Sequence, residues 1–310
     1  MKIITTTLNP AFDLHYNMKN FKLYEENYVD SVLTFAGGKG INISRALSRN
    51  GMDNTAYIIL GKDNASDFVS RLEADGLGCY VIYAEGKIRE NITIHTPGMP
   101  ETRISLEGFC LTEETVKQFF EKIETVVDEN TILTFTGRIP RGLSKDSIIG
   151  FLNELKNKQC LLAVDCNSFS LDDLLIINPW LIKPNSKEIE ALIGSKVDTI
   201  PQAMDAAVKI HQAGIENVIV SMGKDGAVAT LSGINHIAEV PSIKPVSTIG
   251  AGDSMIAGFI GAYAKGFCLT ECFKNAVAYG TAACLTEGTA PPEPEDVKSI
   301  LKSINLHEVL

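Results

Sequence analysis

Several things are scarce in this chain of 310 residues, and each shortage narrows what it can be. No apolar run reaches the length needed to cross a bilayer, so no membrane partner is expected. The seven cysteines (Cys79, Cys110, Cys160, Cys166, Cys268, Cys272 and Cys284) are odd in number and contain no Cys-x-x-Cys pair. They read as reduced thiols, which argues against a disulfide framework and for a cytoplasmic protein. Cys268 and Cys272 share a helical spacing, but no His lies near them in sequence, so a metal centre is not expected there. Cations are the scarcer charge, with 28 Lys and Arg against 38 Asp and Glu, a formal net charge of −10 and a pI near 5.1. They are scattered along the chain, so nucleic acid is not an expected partner. A Walker A loop is also missing. The matching glycine spacing Gly137 to Gly142 continues with Leu143 where that loop requires Lys.

What remains is an ordinary globular composition, 45% hydrophobic and 21% charged. The length suits about two domains, or a single α/β domain carrying an insertion. The start, Lys2 to Leu8, is β-branched and reads as a strand rather than as a charged-then-apolar leader. From Thr55 onward strands and helices alternate: strands at Thr55 to Leu60, Cys79 to Tyr83, Thr131 to Thr136, Cys160 to Asp165, Leu181 to Lys183 and Val218 to Ser221. Helices are read at Ala65 to Asp75, Glu113 to Val127, Ser144 to Leu155 and Pro201 to His211. That alternation means crossover connections and a mostly parallel sheet. Four short, polar, alternating stretches break it: Leu14 to Met18, Tyr28 to Phe35, Asn91 to His95 and Thr102 to Leu106. They read as a small separate sheet inserted at about 12–35 and 88–107.

Ligands of parallel sheets bind beyond the C-terminal strand ends, and the polar motifs of this chain collect there. The most pointed is Ser247-Thr248-Ile249-Gly250-Ala251-Gly252-Asp253-Ser254-Met255, read as strand, glycine turn and buried helix. Glycines without Cβ let the first N–H groups of a helix approach an anion, and the peptide dipoles favour negative charge there. Asp253 then either caps the helix or takes a proton from a hydroxyl attacking phosphorus. A second glycine cluster, Gly37-Gly38-Lys39-Gly40-Ile41-Asn42, opens a helix whose buried face is Ile43, Ala46 and Leu47. Asp13 follows the first strand and its Asn9-Pro10 turn. Lys183-Pro184-Asn185-Ser186-Lys187-Glu188 reads as a turn into a helix, and Ser221 to Gly226 as a hairpin with Asp225-Gly226 at its turn.

Taken together, Leu8-Asn9-Pro10-Ala11-Phe12-Asp13, Gly37-Gly38-Lys39-Gly40-Ile41-Asn42, Asn185-x-x-Glu188 and Gly250-Ala251-Gly252-Asp253, in this order over nearly the whole chain, resemble the PfkB group of ribokinase-like sugar kinases. The resemblance implies a three-layer α/β ribokinase-like fold in one kinase domain, 1–310, whose small β-sheet is a lid over the sugar and the contact of a homodimer. It implies Asp253 as general base, with Gly250, Ala251 and Gly252 forming an anion hole. Asp13, Gly38 and Asn42 would hold sugar hydroxyls, and Lys39 would face the substrate's anionic part. ATP and Mg²⁺ are the implied cofactors, with Glu188 and Asn185 at the metal, Ser221, Gly223 and Gly226 along the phosphates and ribose, and Asn275 near the adenine. Within the group the motifs look most like fructose-1-phosphate kinases, with tagatose-6-phosphate kinases next, so a sugar phosphate is the expected small-molecule partner.

Two positions depart from the group's pattern. Relatives carry Asn-Arg where this chain has Asn27-Tyr28, and Ser-Gly-Ser-Leu-Pro where it has Thr136-Gly137-Arg138-Ile139-Pro140. One cation is lost and another gained. Arg89 matches the group's other phosphate-binding Arg, so a phosphate between Lys39, Arg89 and Arg138 is the expectation.

Overall fold

Strand β1 (Lys2–Thr7) is buried from Ile3 onward, because it lies inside a sheet covered on both faces. The computed structural model describes residues 1–309. In chain order the elements after β1 are β2 (Ala11–Asn17), β3 (Ser31–Gly37), α1 (Lys39–Arg49), β4 (Thr55–Gly61), α2 (Ala65–Ala74), β5 (Cys79–Ala84), β6 (Arg89–His95) and β7 (Thr102–Ser105). Next come α3 (Glu113–Glu124), β8 (Thr131–Thr136), α4 (Lys145–Lys156), β9 (Leu161–Asp165), α5 (Leu171–Ile177), β10 (Leu181–Ile182), α6 (Ser186–Ile193), α7 (Ile200–Ala213) and β11 (Asn217–Ser221). The chain closes with β12 (Ala227–Leu231), β13 (Ile234–Glu239), α8 (Ala251–Ala264), α9 (Leu269–Ala283), α10 (Pro294–Ser303) and β14 (Asn305–Val309).

The large sheet runs β14-β13-β12-β11-β10-β9-β8-β1-β4-β5, parallel from β11 to β5 and antiparallel from β11 to β14. Strand alternation sorts its side chains into two cores. Ile4, Leu133, Val164, Ile182 and Val218 face one way, with α2 to α7. Ile3, Ile132, Ala163, Leu181 and Ile219 face the other, with α1, α8, α9 and α10. The result is the expected three-layer α/β arrangement. The small sheet is also present, in the order β3-β2-β6-β7, with β2 and β6 parallel and Asp13 opposite Asn91.

Three local expectations change. Ser247 to Ile249 form no strand. Pro241 and Pro245 remove two N–H donors from that stretch, and Val246 and Ser247 donate instead to the Cys284 carbonyl beyond α9. Helix α5 was not anticipated, yet Ser170 and Asp173 form a full capping box at its start. The Ser221 to Gly226 hairpin is present, but β13 and β14 extend it into a four-stranded antiparallel flank.

Helices α8 and α9 pack through glycine. A Cβ on Gly258 would lie 2.6 Å from the Asn275 carbonyl, and one on Gly280 would lie 2.3 Å from Met255 Cγ. The Gly258→Ala variant gains helix propensity, up to about 1 kcal/mol, but must push α9 away. The expected net effect is a loss of about 1–3 kcal/mol, read as a lower urea midpoint. An unchanged or raised midpoint would show that the two helices do not depend on this close approach.

Candidate active site

The start of α8 is shaped by Gly250, whose φ of 78° only glycine adopts without strain. The first inward backbone bond is Ser254 N–H to Gly250 C=O at 2.9 Å, which leaves the N–H groups of Ala251, Gly252 and Asp253 aimed out of the helix. Asp253 is 6% exposed, and its Oδ2 accepts a 2.8 Å bond from Asn42 Nδ2 of α1. Burial pushes its carboxyl up to about 6. The Lys39 charge and the Asn42 bond work against that rise, Asp165 adds to it, and Lys183 opposes it more weakly. A carboxylate held in this range near neutral pH is suited to accepting a proton.

Helix α1 begins the same way. Gly38, with φ 137°, lets the chain pass Thr7 so closely that a Cβ would sit 2.6 Å from its Cγ2, and Thr7 Oγ1 accepts from Ile41 N–H. This turn delivers Lys39 to the sheet edge, where its Nζ donates to Asp165 Oδ2 at 2.9 Å. Lys183 Nζ is 3.9 Å from the same oxygen, and a Cβ on Gly252 would be 3.0 Å from Lys183 Nζ. Burial alone would raise the Asp165 carboxyl, but Lys183 and Lys39 hold it below the usual carboxylate range. Burial alone would lower Lys39, but Asp165 and then Asp253 hold it well above the ordinary lysine range. Sequence reasoning did not select Asp165 or Lys183. The available signal was position: one ends β9 and the other directly follows β10, at the edge where the glycine motifs collect.

A second group lies on the small sheet. Asn91 Nδ2 donates to Asp13 Oδ1 at 2.9 Å, and Arg89 Nη1 donates to Asn91 Oδ1 at 3.2 Å. A Cβ on Gly37 would fall 1.9 Å from Asp13 Oδ2, so glycine is required for Asp13 to sit there. Burial raises the Asp13 carboxyl, against the Asn91 bond and the Arg89 charge. The Arg89 Nε is buried and has no partner among the described residues. Burial lowers the Arg89 guanidinium, Asp13 opposes that, and the nearby Arg138, exposed on the loop after β8, lowers it further. Asn91, which bridges the Asp and the Arg, was read only as part of a strand.

Asn185 and Glu188 form a capping box on α6. Asn185 Oδ1 accepts from the Lys187 and Glu188 N–H groups at 3.0 Å each, and Glu188 Oε2 accepts from Asn185 N–H at 2.9 Å. With Asp165, Lys183 and Cys166 they line a cavity of about 270 Å³. Among the described residues no three His, Cys, Asp or Glu side chains converge. Ser221 ends β11 and donates its N–H to Pro184 C=O at 3.1 Å, which ties the hairpin to the same edge. Gly223 opens a single 3₁₀ turn. Gly226, with φ 92°, is pressed against the Ala238 carbonyl, so the hairpin itself requires it. Asn275 is half-buried on α9 and donates to the Glu271 carbonyl at 2.9 Å.

This arrangement places a buried carboxylate and a row of N–H groups without intrahelical partners beside two lysines. Residues 7–296 match the description "pfkB family carbohydrate kinase". The chain is 35% identical over 309 residues, 99% of both chains, to a 1-phosphofructokinase of Borreliella burgdorferi. It is 30% identical over 305 residues, 98% of this chain and 97% of the other, to a 1-phosphofructokinase of Haemophilus influenzae. Among solved structures, phosphofructokinase-2 from Escherichia coli in complex with substrates and products superposes with a TM-score of 0.92. That pair is 27% identical, and the match covers 98% of this chain and 99% of the other. No described helix is long and apolar enough to cross a membrane. The protein therefore belongs to the pfkB family of carbohydrate kinases, phosphotransferases whose acceptor is an alcohol.

Proposed function

We propose that the protein transfers the γ-phosphoryl group of ATP to a hydroxyl of a ketohexose phosphate, converting fructose 1-phosphate to fructose 1,6-bisphosphate. The observation that carries this reading is Asp253. It is a buried carboxylate pushed up to about 6, set in the first turn of α8 among free N–H groups. As the acceptor oxygen bonds to the γ-phosphorus, the bond from that phosphorus to the bridging oxygen breaks, ADP leaves with the electron pair, and the acceptor's proton passes to Asp253 Oδ. The N–H groups of Ala251, Gly252 and Asp253, with Lys39 and Lys183, face the charge that develops on the transferring group. Asp13, held by Asn91, orients the sugar hydroxyls together with Gly38 and Asn42. The buried, unpartnered Arg89 Nε and the neighbouring Arg138 supply donors for the phosphate that the substrate already carries. Full-length relatives named 1-phosphofructokinase support the choice of sugar.

Ser221, Gly223, Gly226 and Asn275 would line the nucleotide. Glu188 uses one oxygen in its capping box and keeps the other, and Asn185 is exposed beside it, so the pair fits an ion that keeps most of its waters. Asn185 and Glu188 would hold Mg²⁺, which when bound neutralises charge on the donor's phosphates. A cytoplasmic setting suits the seven free cysteines.

The direct test offers ATP, with and without Mg²⁺, and a panel of fructose 1-phosphate, fructose 6-phosphate, tagatose 6-phosphate and unphosphorylated sugars, and follows ADP. The highest kcat/KM is expected for fructose 1-phosphate. A preference for an unphosphorylated sugar would sink the assignment.

Asp253→Asn keeps an oxygen for Asn42 but cannot accept a proton, so kcat should fall by roughly 10²–10⁴. The same variant reports on stability. The folded carboxyl titrates near 6, above its ordinary 3.8, so folding holds the proton more tightly than the unfolded chain does. The contribution of Asp253 to wild-type stability should therefore fall as pH rises from about 4 to about 6 and stay lower above that, by on the order of 2–3 kcal/mol, read as the difference between wild type and Asp253→Asn. Asp253→Asn should be the more stable protein at pH ~8 and gain nothing at pH ~4. Asp253 is not the cap, since Gly250 occupies that position with no side-chain cap bond; if its charge served only the helix dipole, Asp253→Asn would instead be the less stable protein at pH ~8, and urea unfolding at both pH values separates the two.

Arg138→Ser should raise KM for fructose 1-phosphate by about ten- to a hundredfold, the worth of a charge-assisted contact, and leave KM for ATP unchanged. A change confined to ATP would move Arg138 to the nucleotide.

We further propose a homodimer through the small sheet. The face opposite Asp13 carries Val32, 49% exposed, and Ile104, 48% exposed, alongside the half-buried Leu14, Tyr16 and Ile92. Sedimentation should find a dimer that Val32→Asp converts to monomer. A wild-type monomer at working concentration would exclude it.

A further inference from the structure

Two buried carboxylates compete for one ammonium at the sheet edge. Lys39 is attracted to both Asp165 and Asp253, yet it is bonded only to Asp165, at 2.9 Å. Asp253 receives its bond from the neutral Asn42 amide instead, and among the described residues it has no ion pair within 4.0 Å. Asp165 is held firmly enough to win. Its side chain is 5% exposed, it ends a strand locked between β8 and β10, and Lys183, also 5% exposed in its side chain, faces it from the next strand end at 3.9 Å.

We propose that Asp165 is a positioning residue: by holding the Lys39 ammonium it keeps that cation off Asp253, the carboxylate that takes the acceptor's proton. A carboxylate paired with an ammonium loses basicity, because the cation favours the ionised form. Without Asp165, Lys39 has one buried anion left to turn to, and that anion is the base. With Asp165 in place, Lys39 stays charged and close to the phosphoryl path, and Asp253 keeps a proton affinity matched to neutral pH. The proposal rests on the reading of Asp253 as base and extends it to a residue that touches neither proton nor substrate.

Three charged groups face Asp253: Lys39 from α1, Asp165 from β9 and Lys183 from the end of β10. Loss of Asp165 also removes a like charge, which by itself lowers the Asp253 titration, so the decisive quantity is the coupling to Lys39 rather than the shift alone. The experiment is a double-mutant cycle on protein without substrate, nucleotide or metal. Asp253 is followed by carboxyl NMR of ¹³C-labelled aspartate from pH ~4 to pH ~9, its resonance identified by its absence in Asp253→Asn. Lys39→Met should raise the Asp253 titration modestly in the wild-type background. It should raise it by roughly one pH unit more, a tenfold larger effect on proton affinity, in the Asp165→Asn background. Equal shifts in the two backgrounds would overturn the proposal, because the charges would then act through space without any change in what Lys39 holds.

Asp165→Asn leaves Lys183 buried without its carboxylate and can cost the fold. The same cycle is therefore run with Lys183→Met added, which removes that uncompensated charge. If Asp165→Asn is unfolded even there, Asp165 is a structural anchor and the proposal fails. In the kinetic arm the acid limb of kcat/KM should move to lower pH in Asp165→Asn, in step with the NMR titration. A limb that stays near 6 while the NMR titration moves would also overturn it. The NMR coupling appearing in a protein that phosphorylates no sugar would refute the assigned activity and leave the Lys39–Asp165 positioning standing.

Discussion

Four charges meet at the C-terminal edge of the sheet, the buried Asp253, Asp165 and Lys183 and the half-buried Lys39, and the surrounding structure is arranged so that they can. Removing one partner of a buried pair typically costs about 3–5 kcal/mol, because its mate is left in low dielectric without compensation. The balance of two acids and two bases must therefore be assembled complete. It draws on four separate elements. Asp165 is fixed by the parallel register that sets it opposite Thr136, and Lys183 follows a strand, β10, of only two residues. Lys39 and Asp253 come from the first turns of α1 and α8. No local sequence preference could place these four together. The sheet does, by ending its strands at one level.

The helices meet the sheet edge through glycine. Gly38 and Gly250 take positive φ, so each helix starts abruptly: at α8 the first three N–H groups are left without an intrahelical partner, and at α1 the Ile41 N–H is taken by Thr7 Oγ1. The aligned peptide dipoles then add partial positive charge at the start of α8, where the proposed function puts the phosphoryl group, and they do so without a side chain that could titrate. Position along α8 is set at its other contacts. Gly258 and Gly280 let α9 approach to backbone distance, so the N-terminus of α8 cannot slide without unpacking the second core. The geometry of the site is in this sense a property of helix packing, although the residues that perform chemistry lie at the helix ends.

The legibility of these features in the sequence follows from the range over which each is determined. The two cores could be read because strand alternation is local: Ile3 and Ile4, or Ile132 and Leu133, declare opposite faces from adjacent positions. The glycine turns before α1 and α8 could be read because a glycine's freedom is a property of one residue. Asp165 and Lys183 could not, since Asp165 meets Lys39 across 126 residues of chain and Lys183 is brought to Asp165 by strand register alone. The run Ser247 to Ile249 misled for a related reason. Its β-branched residues suit a strand, but Pro241 and Pro245 leave the segment short of donors, and the Cys284 carbonyl supplies the alternative partner. At Asn185 and Glu188 the cap and the proposed metal site ask for the same residues at the same spacing, so no sequence argument separates them. The structure shows the cap fully formed and still leaves one Glu188 oxygen free.

The small sheet carries the opposite electrostatic condition, and this bears on what it binds. Around the four-charge cluster each sign is matched. At Arg89 it is not: Asn91 accepts from Nη1 and Asp13 adds only its charge, while the Nε is buried without a partner among the described residues and Arg138 repels from the loop after β8. A half-buried guanidinium with a buried donor unused and a like charge nearby is costly to hold, and an anion that accepts from both arginines would offset that cost. A neutral sugar would leave that cost standing, whereas a substrate with a phosphate at one end and a hydroxyl at the other would relieve it. The reactive end of the site is balanced before substrate binds and the recognition end is not. On the proposed function, selectivity for a phosphorylated sugar would arise where charge is left uncompensated, and readiness for proton transfer where it is already balanced.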